Sequence, residues 1–283
     1  MSIVVFGERP VVDIVLEVTS IPRPGDKALV RGERVVPGGV AENTAHALGL
    51  LGAAVTYVGC ASEGALEQIA LASLADVGVE VISLDQLSGP GVVCYVTVAA
   101  DASRTVLVRL PDDRDRIIAG YADALATLAP RRFQLGYVGV LSEPALAAWP
   151  VMASMCDQVA VTIEADEVDV SLATRELAPG TVVFCAEESL SPELVALVDA
   201  RGIHLVVTCG SAGGYLLRRN EPRLDYAAVT SDHPVVDTTG AGDAFAAGVL
   251  AGLAAGADWP AALQQGATIA RRTVEARGPR APR

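Results

Sequence analysis

The amino-acid sequence predicts an α/β fold in which helices cover both faces of a mostly parallel β-sheet, next to a small second sheet. From about residue 119 to residue 208, short apolar segments alternate with longer segments of helical pattern, as in parallel sheets. Two β-rich stretches near 11–36 and 92–110 interrupt this alternation, and we expect them to pair into the small sheet. Hydrophobic residues make up 51% of the 283-residue chain, enough for a large core.

The individual elements follow from apolar periodicity and from turn residues. The first strand is predicted at 3–6, because its apolar run ends at Gly7. Gly38 and Gly39 precede a helix expected over 40–51, which Gly52 ends. The other predicted strands are 11–18, 28–36, 55–58, 79–82, 135–138, 158–163, 181–184 and 204–208, with hairpins at 92–109 and 214–229. The other predicted helices are 66–77, 119–128, 143–155, 170–177, 192–200, one after Asp243 and one at 259–276.

Charge and cysteine content limit the class of protein. The formal net charge of −13 argues against a nucleic-acid partner, although backbone N–H groups can still hold a single nucleotide. Five cysteines without CxxC spacing indicate reduced thiols in a cytoplasmic protein. The N-terminal segment predicts a strand rather than a signal peptide, and the longest apolar run, 244–257, is shorter than the about 20 residues that span a bilayer. We therefore expect no membrane partner.

The segment DTTGAGDAF, at 237–245, carries the clearest chemical signal. Gly240 and Gly242 allow backbone N–H groups to converge, since no Cβ intervenes, and the helix that follows favours an anion at its N-terminus. A transferred phosphoryl group is such an anion, and Asp243 could take the proton of an attacking hydroxyl. The alternative interpretation is an ordinary helix start, with a glycine turn and a favourable first-turn Asp.

The helix after Asp243 carries Gly248, Gly252 and Gly256 on one face, at positions i, i+4 and i+8. Each glycine in a helix interior costs about 1 kcal/mol relative to alanine. The favoured interpretation is that close packing against a neighbouring element offsets this cost.

The segment DTTGAGD resembles the C-terminal signature D-T-x-G-A-G-D of the ribokinase-like, or PfkB, carbohydrate kinases. The resemblance implies that Asp243 is the catalytic base that activates the acceptor hydroxyl. It also implies that the backbone amides of Gly240, Ala241 and Gly242 form the anion hole for the transferred phosphoryl group.

A second segment, GGVAEN, resembles the family's Gly-Gly-x-x-x-Asn segment at the start of an early helix. By this resemblance Gly38, Gly39 and Asn43 bind acceptor hydroxyls, and Asn43 offers both a donor and an acceptor. Asp13 stands where the family keeps a sugar-binding Asp, and a carboxylate suits a vicinal diol because it accepts two hydrogen bonds. The competing interpretations are a polar helix-face Asn and a solvated Asp at a strand.

The stretch VTCGSAGG resembles the family's V-T-x-G-x-x-G segment beside the nucleotide. The resemblance implies nucleotide contacts from four small residues. They are Thr208, Gly210, Ser211 and Gly213.

Two regions depart from the family pattern on the magnesium side. Where many members have N-x-x-E, this chain has Ala186 and Ser189 at the Asn and Glu positions. Glu187 or Glu188 are the candidate substitutes, acting through water, since Mg²⁺ usually keeps several waters. The common Asp-x-Asn is also missing, and its candidate replacements are Glu164 and Asp166.

Arg104 and Glu143 are further candidate contacts of the acceptor. Arg104 lies on the second β-rich stretch, from which it could reach a polar group of the substrate. Glu143 follows a predicted strand, at a position that faces the sugar or the lid in some relatives. The alternative is a solvated turn Arg and an ordinary helix-start Glu. The three histidines are expected to be structural or solvated.

The resemblance covers nearly the whole chain and implies a ribokinase-like, three-layer αβα Rossmann-like fold with a β-sheet lid. Residues 1–283 would form a single kinase domain, with lid insertions at about 11–36 and 92–110. It further implies ATP and Mg²⁺, with K⁺ as a further candidate, a sugar or nucleoside substrate, and a homodimer formed through the lid.

We therefore expect an ATP-dependent phosphotransferase that phosphorylates a hydroxymethyl group of a sugar or related polyol. A nucleoside kinase of the same family and a non-catalytic sugar-binding homologue remain alternatives. A Rossmann oxidoreductase is disfavoured, because the segment Gly7-Glu8-Arg9-Pro10 after the first strand lacks GxGxxG. The acceptor is left open among ribose, fructose, deoxy-sugar acids and nucleosides.

Overall fold

The computed structural model describes residues 1–60, 64–84, 91–101, 103–110, 114–163 and 177–280. Its first half contains β1 (Ser2–Phe6), β2 (Val11–Val18), β3 (Gly32–Pro37), α1 (Val40–Leu50), β4 (Ala54–Cys60), α2 (Ala65–Ala75), β5 (Glu80–Leu84), β6 (Val92–Ala99), β7 (Arg104–Arg109) and α3 (Arg114–Leu128). Its second half contains β8 (Phe133–Val138), α4 (Glu143–Met155), β9 (Cys156–Ile163), β10 (Val182–Ala186), α5 (Pro192–Arg201), β11 (His204–Thr208), β12 (Gly214–Leu217), β13 (Leu224–Tyr226), α6 (Ala241–Ala254) and α7 (Trp259–Thr273).

The strands form two sheets. The larger sheet has nine strands in the order β13-β12-β11-β10-β9-β8-β1-β4-β5, parallel from β11 to β5 and antiparallel at β12 and β13. The carboxyl ends of its parallel strands therefore meet at one edge, where ligands bind in open α/β sheets. The smaller sheet, with the order β3-β2-β6-β7, is formed by the two β-rich stretches, and we call it the lid.

Helices cover both faces of the larger sheet, as the alternation in the sequence predicts. Along β1, Ile3 and Val5 pack into one core with α1, α2, α6 and α7, while Val4 and Phe6 pack into a second core with α3, α4 and α5. All four side chains are buried, as expected for a central parallel strand covered on both faces. No helix within the described ranges is both long and apolar enough to cross a bilayer.

Capping residues fix where several helices begin. Ser142, Ser191 and Asp258 precede α4, α5 and α7, and each side chain accepts a hydrogen bond from a backbone N–H of the first turn. A proline follows within the first two helical positions of each of these helices. This arrangement satisfies first-turn N–H groups that have no intrahelical acceptor.

The glycines of α6 allow this helix to pack closely against α7. A Cβ at Gly248 would lie 2.7 Å from the Cα of Gly266, and one at Gly252 would lie 3.0 Å from the Cα of Ala262. The packing interpretation therefore holds for two of the three glycines. Gly256 lies beyond the end of α6 with φ +83°, a conformation that favours glycine for a different reason.

Two elements, β3 and α3, begin four or more residues away from the predicted position. The strand expected over 28–36 begins only at Gly32, because β2 ends at Val18 and residues 28–30 have no strand to pair with. Helix α3 begins at Arg114 rather than at 119. The helix expected over 170–177 lies outside the described residues except for Leu177.

Candidate active site

The DTTGAGD loop has a backbone that requires glycine at one position and leaves space open at another. Gly240 precedes α6 with φ +73°, and a Cβ there would lie 2.1 Å from the carbonyl oxygen of Pro279. A Cβ built at Gly242 meets no atom within 4 Å. The first turn of α6 therefore offers N–H groups without intrahelical acceptors beside open space, which is a geometry suited to an anion.

Asp243 in this first turn is held by the N-terminus of α1. The Nδ2 of Asn43 donates to Oδ2 of Asp243 at 2.8 Å, and the hydroxyl of Thr44 donates to the backbone carbonyl of Asp243 at 3.4 Å. Two motifs that lie 200 positions apart in the chain thus meet in one site. A half-buried carboxylate at the edge of an anion-binding helix terminus is well placed to accept a proton from a hydroxyl.

The glycine pair makes room for two carboxylates. A Cβ at Gly38 would lie 2.5 Å from Oδ1 of Asp13, and a Cβ at Gly39, where φ is +88°, would lie 2.0 Å from Oε2 of Glu42. Both glycines are therefore required by close approach, in addition to any contact that their amides make with a ligand.

Asp13 and Glu42 are buried carboxyl groups with raised pKa values. Burial raises the pKa of Asp13, although a hydrogen bond from Cys94 and the charge of Arg280 counteract it. Burial raises the pKa of Glu42 to about 7, against the stabilising hydrogen bond from the hydroxyl of Tyr57. Desolvation disfavours the ionised form of each group. Asp13 reaches the site from lid strand β2, so the lid contributes directly to this pocket.

Arg280 is a site residue that sequence reasoning missed. Its guanidinium donates to Oδ1 of Asn43 at 3.0 Å, to the carbonyl oxygen of Gly38 at 3.2 Å and to the hydroxyl of Ser73. Burial lowers its pKa to about 10, although the carboxyl groups of Glu42, Asp13 and Asp243 oppose this shift, so it remains a cation at neutral pH. The sequence signal is a basic residue after a Gly-Pro turn in an acidic chain, which by itself predicts only a solvated tail.

Asp237 ties the segment after α7 to the same loop. Its Oδ1 accepts from the N–H of Thr239 at 3.0 Å and its Oδ2 from the N–H of Gly278 at 2.9 Å. Burial opposes ionisation, but these hydrogen bonds outweigh it and hold the pKa of Asp237 below its ordinary value. Asp237 therefore binds two backbone N–H groups and holds residues 278–280 next to the site.

The VTCGSAGG stretch runs from the end of β11 to the start of β12 at the carboxyl edge of the sheet, and its residues 210–212 are exposed. Gly210 and Gly213 have φ values of +55° and +91°, and the N–H of Cys209 donates to the carbonyl of Gly213 at 2.7 Å. The hydroxyl of Thr208 donates to the carbonyl of Cys185 at 3.4 Å, and Ser211 is exposed at the tip. Hydrogen bonds within the turn use the N–H groups of Cys209, Ala212 and Gly213.

Glu187 and Glu188 lie in the 3₁₀ turn after β10, and both are exposed. Glu187 hydrogen-bonds the thiol of Cys209, whose pKa is raised by burial and by this carboxylate. The two acids therefore border the VTCGSAGG turn. Within the part of the chain that the structure describes, no cluster of three or more His, Cys, Asp or Glu side chains could hold a metal ion by itself. Glu164 and Asp166 lie outside the described residues.

Arg104 connects the lid to the DTTGAGD loop, while Glu143 lies elsewhere on the carboxyl edge. The guanidinium of Arg104, on β7, donates to the hydroxyl of Thr239 at 3.3 Å. Glu143 begins α4 after β8, next to the cap residue Ser142, which contacts Glu8. The structure thus joins Asp13, the glycine pair, Asn43, Arg104 and the DTTGAGD loop through direct contacts, and it places Glu143 at the same sheet edge.

Comparisons with known proteins agree on one family. The profile of the pfkB family carbohydrate kinases matches residues 1–283. The chain is 47% identical over 73 residues to an acarbose 7(IV)-phosphotransferase from an Actinoplanes species, covering 25% of this chain and 24% of that protein. It is 32% identical over 134 residues to a 1-phosphofructokinase from Haloferax volcanii, covering 47% of this chain and 43% of that protein. The chain thus matches less than half the length of each curated relative.

A solved structure shows the same fold. The ribokinase from Giardia lamblia superimposes with a TM-score of 0.80 at 18% sequence identity, covering 98% of this chain and 95% of that one. At this identity the likeness establishes the three-layer architecture and the small second sheet, and no more.

Proposed function

Because the chain belongs to the pfkB family of carbohydrate kinases, we propose that it transfers the γ-phosphoryl group of ATP to a hydroxymethyl group of a sugar or related polyol. The observation that carries this proposal is the 2.8 Å hydrogen bond between Asn43 and Asp243, which joins the acceptor side to a carboxylate at an anion-binding helix terminus. Residues 1–283 would act as one kinase domain.

In the proposed reaction the acceptor hydroxyl lies between Asp243 and the γ-phosphorus. Asp243 takes the hydroxyl proton while the new oxygen–phosphorus bond forms and the bond to the leaving ADP breaks. The backbone amides of Gly240, Ala241 and Gly242 stabilise the charge on the phosphoryl oxygens. The open space beside Gly242 supports this role, since it leaves room for a phosphoryl group.

Asp13, Asn43 and the backbone of Gly38 and Gly39 would bind the acceptor. Local charge favours a neutral polyol over a sugar acid or sugar phosphate, because the cation Arg280 is already surrounded by the carboxyl groups of Asp13, Glu42 and Asp243. An anionic substituent beside Arg280 would also meet these carboxyl groups. Arg104, on the opposite lid strand, and Glu143 are proposed to contact more distant parts of the acceptor.

The nucleotide would bind along the turn that contains Thr208, Gly210, Ser211 and Gly213. Mg²⁺ usually keeps several waters and binds phosphate oxygens, so it does not need a cage of protein ligands. The chemistry of the donors fits this mode, since Glu187 and Glu188 are exposed carboxylates at the border of the turn and could hold waters of the ion. When bound, Mg²⁺ would neutralise phosphate charge.

K⁺ is proposed as an additional ion near the loop that Asp237 organises. The support for this ion is the lowered pKa of Asp237, which keeps its carboxylate ionised beside the loop. The acceptor screen below is therefore run with and without K⁺, and an increase in turnover on adding K⁺ is the expected result.

The test is a screen for ADP release with a panel of neutral sugars, sugar acids, sugar phosphates and nucleosides, each with and without Mg²⁺ and K⁺. We expect turnover with a neutral sugar or polyol, and Asp243→Asn should lower kcat by several orders of magnitude while ATP binding is retained. Equal turnover in Asp243→Asn would refute the role of the base. Turnover with nucleosides alone would identify a nucleoside kinase.

A non-catalytic sugar-binding homologue is the second candidate, and the departures at Ala186 and Ser189 favour it. It predicts no ADP release with any acceptor, together with measurable sugar binding by calorimetry. The carboxylate of Asp243 and its bond to Asn43 argue against it, because binding alone does not need a base at the helix terminus.

A homodimer formed through the lid is proposed from the exposed apolar side chains of β7 and its neighbours. Leu107 is 66% exposed on this edge strand, and Val106, Val108 and Leu110 are also exposed. Exposed edge strands of this kind pair with another chain or are covered by one. Light scattering after size exclusion should give a dimer, and Leu107→Lys should give a monomer. We propose a cytoplasmic location, because the four cysteines that the structure describes are free thiols.

A further inference from the structure

Arg280 connects the GGVAEN segment at the start of α1 to helix α2. Its guanidinium donates to Asn43 on α1, to the carbonyl of Gly38 before α1, and to Ser73 on α2. A buried guanidinium keeps such a place only when its donors are satisfied, because burying an unpaired charge is costly. Arg280 is therefore a built part of the site.

The amide of Asn43 stands between a group that only donates and a group that only accepts. Arg280 donates to its Oδ1 at 3.0 Å, and its Nδ2 donates to the carboxylate of Asp243 at 2.8 Å. A guanidinium cannot accept and an ionised carboxylate cannot donate, so this arrangement permits one orientation of the amide. Without Arg280, Asp243 still favours this orientation through Nδ2, but Oδ1 loses the donor that holds its side of the amide, and the terminal torsion of Asn is broad.

We propose that Arg280 is a positioning residue for phosphoryl transfer, which fixes the amide of Asn43 so that Nδ2 holds Oδ2 of Asp243 in place for the acceptor hydroxyl. This inference rests on the proposed function. Arg280 acts on the base through Asn43, and its charge also interacts with the carboxylate of Asp243. Its cation also balances the neighbouring carboxyl groups of Asp13 and Glu42.

The kinetic test compares Arg280→Met and Arg280→Lys with a control, Arg277→Met, in the same segment. The side chain of Arg277 is 70% exposed and lies 3.9 Å from Glu17, outside the site. With the acceptor found in the screen, Arg280→Met should lower kcat per folded molecule about 100-fold, the scale of a slight misplacement of a reacting group, with the KM for ATP unchanged. Arg280→Lys should keep part of the activity, since an ammonium can still donate to Asn43.

A purely structural role predicts another result. The variants would then lose folded protein, measured by circular dichroism, while kcat per folded molecule would stay at the wild-type value. Wild-type kcat per folded molecule in Arg280→Met would overturn the proposal. The Arg277→Met control should match the wild type in both measurements.

A second measurement does not depend on turnover. In ¹⁵N-labelled protein, the side-chain amide signals of Asn43, identified by their loss in Asn43→Ser, should show slow exchange with water in the wild type and fast exchange in Arg280→Met. Unchanged exchange in Arg280→Met would overturn the inference even if the screen finds no acceptor. Absence of ADP release in the wild type would overturn the proposed function, and the amide signals would still decide the role of Arg280.

Discussion

Replacing Glu42 with Gln tests whether the buried carboxyl beneath Gly39 makes the stability of the fold depend on pH. Glu42 is 2% exposed, and burial raises its pKa from 4.5 to about 7. Between these values the folded protein keeps a proton that the unfolded chain has released. The free energy of unfolding must therefore fall as the pH rises through this range, and the stabilisation is fully present only below pH 4.5.

The magnitude follows from the two pKa values. A difference between 4.5 and about 7 corresponds to about 3 kcal/mol, at about 1.4 kcal/mol per pH unit, and most of it is lost between pH 5 and pH 8. Glu42→Gln removes the titrating group and keeps an oxygen that can accept from the hydroxyl of Tyr57. The variant should therefore lack this part of the pH dependence.

The assay is urea denaturation of both proteins at pH 5 and at pH 8, followed by far-UV circular dichroism. Between the two pH values, the free energy of unfolding of the wild type should fall by about 2.5 kcal/mol relative to the variant, because only the wild type has to ionise a buried carboxyl. Other groups near Glu42, namely Glu8, Arg280 and Tyr57, are present in both proteins. A constant offset between the two proteins at both pH values would refute the reasoning.

Two further predictions concern stability. Gly39→Ala should lower the free energy of unfolding by more than Gly52→Ala. Both positions have positive φ (+88° and +76°), which alone costs about 1 kcal/mol or more for alanine, but only the Cβ at position 39 meets an atom, at 2.0 Å. Equal losses of the free energy of unfolding in urea denaturation would contradict the close approach at Gly39. Glu67→Gln should cost about 3 kcal/mol, because it removes one charge of a buried ion pair in which Arg9 and Glu67 lie 3.2 Å apart. The control Glu80→Gln, in an exposed ion pair, should cost less than about 1 kcal/mol, and equal losses at the two positions would contradict the argument from burial.

Local signals in the sequence predicted much of the fold. The alternation of apolar and helical segments gave the parallel sheet and its two helical layers, because burial on both faces imposes the apolar runs of strands such as β1. The two β-rich stretches gave the second sheet. The predicted start of β3 was wrong by several residues. The observed start depends on where the partner strand β2 ends, and the β-propensity of residues 28–36 does not reveal the end of β2.

The site was predicted in part. The chemistry of the glycine loop singled out Asp243, the family resemblance singled out Asn43 and Asp13, and the structure brings Asp243 and Asn43 into direct contact. Glu42 and Arg280 were not found, because their importance depends on burial and on partners distant in the chain. A Glu on a helix and an Arg after a Gly-Pro turn are ordinarily solvated, and only the three-dimensional contacts distinguish these two.

The attachment of residues 278–280 to the site has a consequence for the order of folding. Arg280 bonds Gly38 and Asn43 across 242 and 237 positions of sequence, and Asp237 holds Gly278. Contacts between residues so far apart in sequence form late in folding, because closing the long loop costs chain entropy before the contacts stabilise the fold. During refolding from urea, the helical circular dichroism signal should therefore return before phosphoryl-transfer activity does. The delay between the two signals would measure how long residues 278–280 take to dock on the site.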